Sequence, residues 1–458
     1  MSNHEVFNFK NIHELENKIH ELKVNISLSA DWGVFHSKVK VGNKIAHNPF
    51  VILPMEGCDS ELDGSPSELV RRRYHRFATG GAGLIWWEAC AVVPEGKANP
   101  LQKVLNESTR DTFAQLVEQT NLIATETNGY RPLNILQLTH SGRYSRPEGH
   151  RFSPMIPQHD PLLDPRVGID KNYDVVSDEY LDQLVFKYAK AATLAKEAGF
   201  DGVDIKACHR YLLSELLASH HRSGKYGGSF ENRTRLLLNI IKAVRQALGD
   251  DFIIACRFNA FDGHPFPYGF GVDPKDFMTP DLNETLMLVK LLCKHGVELL
   301  CASAGNPYYL YPQFTRPFDQ PSLGVPLPKE HPLESAARLF ELCKKVQIAA
   351  GDVPVVGCGY SWLREYLPSV AAAHLKEKHC AFVGLGRQAF AYPDAPIDIL
   401  KKKKLFPEKS CIACSKCTQI MRDHGRTGCV IRDQEIYLPL YKKYREAAVE
   451  RERRIQQP

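Results

Sequence analysis

The sequence predicts an α/β fold built as a closed barrel, on the evidence of two patterns. Eight short apolar runs, many of them β-branched, are each bounded by glycine, proline or charged residues. Continuous runs of this kind are typical of strands buried on both faces of a parallel sheet. Segments with helical spacing separate the runs, and eight repeats favour a (β/α)8 TIM barrel over an open doubly wound sheet. The runs occupy residues 50–55, 83–90, 133–138, 202–207, 252–258, 297–304, 353–359 and 381–386.

Three segments between these runs carry a clear helical pattern. Residues 178–199 place apolar side chains three and four positions apart and end on glycine, a frequent helix stop signal. Residues 232–249 and 283–296 repeat this pattern. We expect a helical lead-in, the barrel, a cysteine-rich segment, and a charged C-terminal helix or tail. In that order they span residues 1–38, 39–400, 401–435 and 436–458.

Composition narrows the class of protein. The formal charge of +5 is small for 458 residues and the basic residues are scattered, which argues against a nucleic-acid partner. The polar start of the chain does not resemble a secretory signal, and no apolar stretch is long enough for a membrane span. We therefore expect a cytoplasmic protein, in which the thirteen cysteines are mostly buried thiols or ligands rather than disulfides.

The cysteine-rich segment has the spacing C-x2-C-x2-C-x11-C. Cys411, Cys414, Cys417 and Cys429 are candidate ligands of a soft metal centre. Three cysteines within seven residues suit a [4Fe–4S] cluster, because each thiolate must reach a different iron. Zinc is the alternative, although zinc sites usually divide their cysteines between two separated pairs. Unligated thiols are the least favoured interpretation.

Barrel enzymes place their active sites at the carboxyl ends of the strands, where this sequence has polar residues. The last two strand ends also carry glycines, and Arg387 follows one of them. Loops after the seventh and eighth strands commonly bind phosphate in such barrels, so this end predicts a phosphate site. The strand-end residues are Glu56, Glu88, Gln137, His140, Lys206, His209, Tyr211, Arg257, Gly357, Gly359, Gly386 and Arg387.

Several of these residues lie in longer motifs. "GLIWWEACAV" begins at Gly83, "LQLTHSGR" at Leu136, "GFDGVDIKACHRYLLSELL" at Gly199 and "KYGGSFENRTR" at Lys225. In these motifs and their separations the chain resembles the flavin-dependent old yellow enzyme family. With the cysteines directly after the barrel, it is similar to the iron–sulfur branch that includes 2,4-dienoyl-CoA reductase and trimethylamine dehydrogenase.

The resemblance implies an FMN on the mouth of the barrel and a [4Fe–4S] cluster that exchanges single electrons with it. Arg257 would stabilise negative charge on the reduced flavin, and Gln137 would bind its pyrimidine side. A cation and an amide donor are what an anionic reduced flavin requires. The residues implied to bind FMN are Pro54, Met55, Glu56, Ala89, Gln137, Arg257, Gly357, Gly359, Gly386 and Arg387.

The resemblance also implies a catalytic group after the fourth strand. Lys206 and His209 would bind the carbonyl oxygen of an activated alkene, and Tyr211 would donate the proton. The sequence departs from the family pattern at Lys206, at Arg210 and at Glu56. We expect an ene-reductase that adds hydride to the carbon β to a carbonyl, on a steroid, enoate, aryl enone or thioester.

Other functions remain open. Amine oxidation of the trimethylamine dehydrogenase type is one, because aromatic side chains could form a cage for a cation. Lys206 would repel such an ammonium group, which favours alkene reduction. An electron-transfer subunit without its own substrate and a zinc-stabilised barrel are further alternatives. The aromatic candidates are Trp86, Trp87, Tyr308, Tyr309 and Tyr311.

The source of electrons is not fixed by the sequence. We find no G-x-G-x-x-G motif between a strand and a helix with room for a second nucleotide-binding domain. We therefore expect an external donor: a ferredoxin, a partner subunit, or NAD(P)H acting directly on the flavin. The sequence is compatible with a homo-oligomer and does not set its size. Residues 145–174 form a loop long enough to cover the active site.

Overall fold

The computed structural model describes residues 3–308 and 311–456. Within these ranges eight parallel strands close a barrel, and each of the eight predicted runs supplies one of them. The (β/α)8 TIM barrel prediction is therefore confirmed. The strands are β1 Val39–Val41, β2 Lys44–Ala46, β3 Phe50–Ile52, β4 Leu84–Ala91, β5 Lys103–Val104, β6 Leu133–Thr139, β7 Gly202–Ile205, β8 Ile253–Phe261, β9 Leu299–Ala304, β10 Val355–Gly357 and β11 Phe382–Leu385.

Strand β3 closes the barrel because it pairs with a strand on each side. It lies parallel to β11, with Val383 opposite Phe50, and parallel to β4, with Val51 opposite Leu84. The remaining barrel strands follow in the order β4, β6, β7, β8, β9, β10, β11. The short β5 pairs in parallel with the carboxyl end of β4. Strands β1 and β2 form an antiparallel hairpin that precedes the barrel in the sequence.

Helices alternate with these strands. Several begin at a serine whose hydroxyl accepts a backbone N–H, as Ser177 does from Tyr180 and Ser229 from Asn232. Each such cap stabilises its helix by about 1 kcal/mol. The helices are α1 Ile12–Glu21, α2 Glu68–Thr79, α3 Arg110–Asn128, α4 Asp178–Glu197, α5 Leu212–Leu217, α6 Phe230–Leu248, α7 Asn283–Lys294, α8 Pro332–Ala350, α9 Leu367–Lys376, α10 Arg387–Ala391, α11 Ala395–Lys402, α12 Lys416–Arg422 and α13 Gln434–Gln456.

The barrel strands separate two apolar layers. On β3, Val51 packs inside the barrel, while Phe50 and Ile52 pack outward against the helices. This alternation follows from the two-residue repeat of a strand, and both faces are apolar because both are buried. Burying each such side chain contributes about 1.5–3 kcal/mol. The polar residues at the carboxyl ends of the strands are therefore attached to strands that apolar side chains pack on both faces.

The two ends of the chain pack against the barrel. Helix α1 lies in the N-terminal segment, and Phe7 lies 5.3 Å from Trp362 between ring centroids. The charged C-terminal helix is present as α13, but Tyr437 in its first turn is buried, so the helix is not exposed throughout. None of the helices in the described ranges is long and apolar enough to cross a bilayer.

Candidate active site

A cavity of about 160 Å³ opens at the carboxyl ends of the barrel strands, and we call it the mouth cavity. Most of its walls come from β8 and from the segments that follow β3, β7, β9, β10 and β11, the end of the barrel at which such folds carry their sites. Seven of the ten residues predicted to bind a cofactor are on its walls. They are Pro54, Met55, Glu56, Arg257, Gly359, Gly386 and Arg387. Lys206 and His209 also line it.

The three other predicted cofactor residues lie behind these walls. Ala89 is buried in β4 and Gly357 ends β10. The amide nitrogen of Gln137 donates to Oδ2 of Asp204 at 2.6 Å, so this side chain is engaged within the barrel. Flavin binding by Gln137 stays a prediction.

Asp204 is a buried carboxylic acid that the sequence analysis did not identify, because it stands within an apolar run. Its carboxylate accepts hydrogen bonds from the side chains of Gln137 and Trp86 and from the backbone N–H of Arg257. Burial raises the pKa of Asp204 to about 6. Asp204 in β7 therefore joins β4, β6 and β8, and one of its partners, Arg257, lines the mouth cavity.

Two of the predicted strand-end residues, Glu88 and His140, contact other side chains and lie outside the mouth cavity. Glu88 forms ion pairs with Arg73 at 2.7 Å and Lys103 at 2.6 Å. Burial alone would raise the pKa of Glu88, but Arg73 and Lys103 hold it at about 2. His140 contacts the hydroxyl of Tyr180 at 2.8 Å, and burial lowers its pKa to about 3. Neither side chain lines the mouth cavity.

Lys206 is part of an ion pair that the sequence did not predict. Its Nζ lies 2.9 Å from Oε1 of Glu56 and 4.0 Å from the centre of the Tyr211 ring. The side chains of Lys206 and Glu56 are only 3% and 11% exposed. The two residues are 150 positions apart and meet because β3 and β7 end at the same mouth. The lone cation expected at this strand end is therefore balanced by a carboxylate.

His209 is held in a fixed orientation beside this pair. Its backbone has a φ of 66°, and its N–H donates to Oδ1 of Asn259 at 3.2 Å. The ring Nε2 lies 3.2 Å from Oγ of Ser303. Burial and the nearby Arg257 and Lys206 hold the pKa of His209 well below its ordinary value. The imidazole is thus neutral and carries one N–H to donate.

Tyr211 is buried behind a second tyrosine. Its hydroxyl contacts that of Tyr308, and the two rings stack with centroids 6.0 Å apart. Burial and the carboxylate of Glu56 raise the pKa of both phenols well above the ordinary value, so both stay protonated. Tyr308, rather than Tyr211, lines the mouth cavity. The sequence offered no proton-transfer signal for Tyr308, which follows β9 in an irregular loop.

The mouth cavity is also rich in arginine. Arg257, Arg316 and Arg387 line it, and each has a buried guanidinium nitrogen without a hydrogen-bond partner in the described chain. Burial, together with Arg387 and Arg422, lowers the pKa of Arg316 to about 9. Adjacent like charges and unpaired buried donors both favour an anion beside these arginines. Arg316 lies in the loop between β9 and α8, where no sequence pattern marked it.

Cys411, Cys414, Cys417 and Cys429 line one small cavity beside the barrel mouth. The backbone N–H of Ala413 donates to Sγ of Cys411 at 3.4 Å. The backbone N–H of Arg432 donates to Sγ of Cys429 at 3.3 Å. Hydrogen bonds of this kind stabilise thiolates that bind metal.

Arg387 lines both this cysteine cavity and the mouth cavity, so the two adjoin. In residues 3–308 and 311–456 no three histidine, cysteine or acidic side chains are grouped so as to hold a metal ion. The choice between a cluster and zinc therefore stays a prediction.

A second cavity, of about 1080 Å³, opens next to the mouth cavity, and we call it the outer cavity. Glu56, Tyr308, Met421 and Arg422 border both. Its walls come partly from the predicted covering loop, residues 145–174, and partly from the cysteine-rich segment. The cysteine-rich segment thus helps to form the space in which a substrate would lie.

The aromatic cage considered for an amine is not assembled. Trp86 donates its indole N–H to Asp204, and Trp87 stacks on Tyr74 with centroids 3.7 Å apart. Both tryptophans are buried in β4 and reach neither cavity. Tyr308 and Tyr311 do line the outer cavity, and Tyr309 lies outside the described residues.

The known proteins that are similar to this chain point to one protein family. NADH oxidase of Thermoanaerobacter brockii is 29% identical over 388 residues, which cover 83% of this chain and 52% of that protein. Cinnamate reductase of Clostridium sporogenes is 25% identical over 431 residues, covering 87% of this chain and 57% of that protein. The chain therefore spans about half the length of these relatives.

Solved structures show the same fold. The structure of 2-naphthoyl-CoA reductase with 2-naphthoyl-CoA matches with a TM-score of 0.69 at 20% identity, covering 90% of this chain and 58% of that one. Histamine dehydrogenase from Rhizobium sp. 4-9 matches with a TM-score of 0.66 at 19% identity, covering 88% and 53%. The model of the NADH:flavin oxidoreductase / NADH oxidase family matches residues 35–270, more than half of the chain. The chain therefore belongs to this family of flavin-dependent oxidoreductases.

Proposed function

We propose that the protein is an FMN- and [4Fe–4S]-dependent ene-reductase acting on a C=C bond conjugated to a carbonyl. One observation carries the proposal: Lys206, a neutral His209 and a protonated tyrosine pair meet at a cavity that is also lined by arginines. The relative named cinnamate reductase supports this reaction type.

The residues of the mouth cavity fit FMN. The unpaired buried nitrogens of Arg316 and Arg387 suit a phosphate, and Gly359 and Gly386 leave the adjoining wall free of side chains. Arg257 would face the flavin ring, whose reduced form is anionic. The remaining residues proposed to hold FMN are Pro54, Met55, Glu56, Ala89, Gln137 and Gly357. When bound, FMN supplies the hydride that is added to the β carbon of the alkene.

Lys206 and His209 would bind the carbonyl oxygen of the substrate. Hydride addition at the β carbon places negative charge on this oxygen, and donors fixed in advance stabilise that charge as it develops. The neutral His209 contributes an N–H, and Lys206 contributes an ammonium group held by Glu56. Because the ion pair fixes Lys206, little reorganisation is needed when the oxygen becomes charged.

Tyr211 and Tyr308 would supply the proton for the α carbon. The pKa of each phenol is raised by burial and by Glu56, so each keeps its proton until a strong base forms nearby. Tyr308 lines the mouth cavity. Tyr211 does not line it, but its hydroxyl contacts the hydroxyl of Tyr308. We propose that Tyr308 passes the proton to the substrate side and that Tyr211 replenishes it.

The four cysteines fit a [4Fe–4S] cluster. Four sulfur donors share one cavity, and backbone N–H groups point at two of them. A bound cluster would supply single electrons close to Arg387, where the two cavities adjoin. NAD(P)H is the donor favoured by the names of the relatives, and a ferredoxin or partner subunit would serve the same role.

Amine oxidation is less well supported. The tryptophans of the expected cage do not reach the site, and Arg146, Arg422 and His424 line the outer cavity. An ammonium substrate would be repelled by those guanidinium groups. The charge of Lys206 does not discriminate between an amine and an alkene substrate, because Glu56 balances it.

The test is Tyr308→Phe, with Tyr211→Phe measured beside it, in anaerobic stopped-flow absorbance, with reduction by NADH and reoxidation by an enone followed separately. Loss of a positioned acid slows the second step by about 10²–10⁴-fold. The first step should be unaffected. Tyr268→Phe is the matched control, since this tyrosine lies on neither cavity. Equal reoxidation rates in Tyr308→Phe and the control would refute the role of the tyrosine pair, as an electron-transfer subunit would predict.

A further inference from the structure

We propose that Arg146 and His424 form a binding site for an anionic group of the substrate, remote from its reducible C=C bond. The inference rests on the proposed function and extends it to the substrate class. The substrate would be an electron-poor alkene that also carries a carboxylate or a phosphate. Both residues line the outer cavity.

Arg146 is held in place without an acidic partner among the described residues. Its Nε donates to the carbonyl of Ala98 at 3.1 Å, and its guanidinium lies 5.0 Å from the centre of the Phe152 ring. Its Nη1 lies 3.1 Å and 3.0 Å from the two ring nitrogens of His424. Within the described chain no carboxylate forms an ion pair with Arg146. The guanidinium thus keeps N–H donors for a ligand.

The groups around His424 are also basic. Burial, together with the nearby Arg146, His150 and Arg451, lowers the pKa of His424 to about 3. His150 stacks edge-on against His424, with centroids 4.5 Å apart. A neutral imidazole beside an uncompensated guanidinium is an arrangement that an anion would stabilise from both sides.

Acidic groups of the outer cavity do not compensate this charge. Among the described residues that line it, the carboxylates belong to Glu56 and Glu330. Glu56 is paired with Lys206, and Glu330 is paired with Arg338. These two carboxylates are therefore neutralised, whereas the charge of Arg146 is not. The outer cavity is left with a net positive charge.

The position of this subsite sets the shape of the substrate. Glu56 and Tyr308 border both cavities, so an alkene bound at Lys206 can extend past them into the outer cavity. That cavity is about 1080 Å³, which is large for a simple enone. The substrate is therefore elongated, with its carbonyl at the mouth and its anion at Arg146. Because His424 lies between Cys417 and Cys429, an anion there also contacts the cysteine-rich segment.

The test uses matched enones: 4-phenyl-3-buten-2-one and its ring-carboxylated and ring-phosphorylated forms. The anionic enones should have the higher kcat/KM with wild type. Arg146→Gln should reduce that preference by about 10- to 100-fold, the value of a hydrogen bond to a charged group. Arg146→Lys should give an intermediate loss, because it keeps charge but not the planar fork. Arg151→Gln, which removes an exposed arginine nearby, is the control.

Equilibrium binding measured by calorimetry separates this inference from the proposed function. If wild type binds the anionic enones more tightly and Arg146→Gln does not, the subsite stands even when no enone is reduced. If all three enones are reduced with the same kcat/KM by wild type and Arg146→Gln, the subsite is refuted and the ene-reductase stands. The tighter of the two anionic enones identifies carboxylate or phosphate as the natural group.

Discussion

Replacing Glu56 by glutamine should destabilise the protein strongly, because it leaves the ammonium of Lys206 buried without a partner. At 2.9 Å and an effective dielectric constant of about 20, the attraction between the two charges is about 6 kcal/mol. Desolvation offsets part of it, and removing one partner of a buried pair costs about 3–5 kcal/mol. We expect Glu56→Gln to lower the free energy of unfolding by that amount.

The assay is urea unfolding followed by tryptophan fluorescence, on variants with matched cofactor content. Lys206→Met in the Glu56→Gln background should restore most of the loss, giving a coupling energy of about 2–3 kcal/mol. The control is the exposed pair of Lys190 and Glu107, where Glu107→Gln should cost less than about 1 kcal/mol. Additive effects of the two substitutions, within about 0.5 kcal/mol, would refute the pairing.

Two further predictions concern Asp204 and Arg316. Burial raises the pKa of Asp204 from 3.8 to about 6, so the folded state binds its proton more tightly than the unfolded state. Its contribution to stability is present in full below pH 3.8 and is lost as the pH rises through about 6, a change of about 3 kcal/mol. Urea unfolding between pH 4 and pH 7 should show this fall in wild type and not in Asp204→Asn, and parallel curves would contradict it. Arg316→Gln should weaken FMN binding by about 10- to 100-fold in fluorescence titrations, relative to the exposed control Arg454→Gln, and equal affinities would remove Arg316 from the site.

The fold was readable from the sequence because both faces of the barrel strands are apolar. Each run of buried residues, such as 50–55 or 202–207, stands out against polar loops, and eight repeats imply closure. The exposure of the last helix was less predictable. Tyr437 is buried by contacts with distant parts of the chain, and its helix carries mostly charged residues.

The site was readable only where its residues follow strands directly. Lys206 and His209 were predicted in this way, Arg257 was predicted at a strand end although it lies within β8, and all three line one cavity. The pairing of Lys206 with Glu56 depends on tertiary contact across the barrel, and Tyr308 lies in a loop without periodicity. No local pattern marks such partners, because their roles arise from which strands end side by side.

The most direct test of the account is the visible spectrum of protein purified without oxygen, together with its metal content. The account predicts bound FMN and about four iron atoms per chain, as a [4Fe–4S] cluster requires. It also predicts that the absorbance bleached by NADH or dithionite returns when an enone is added. Colourless protein, zinc in place of iron, or a reduced flavin that no enone reoxidises would contradict it.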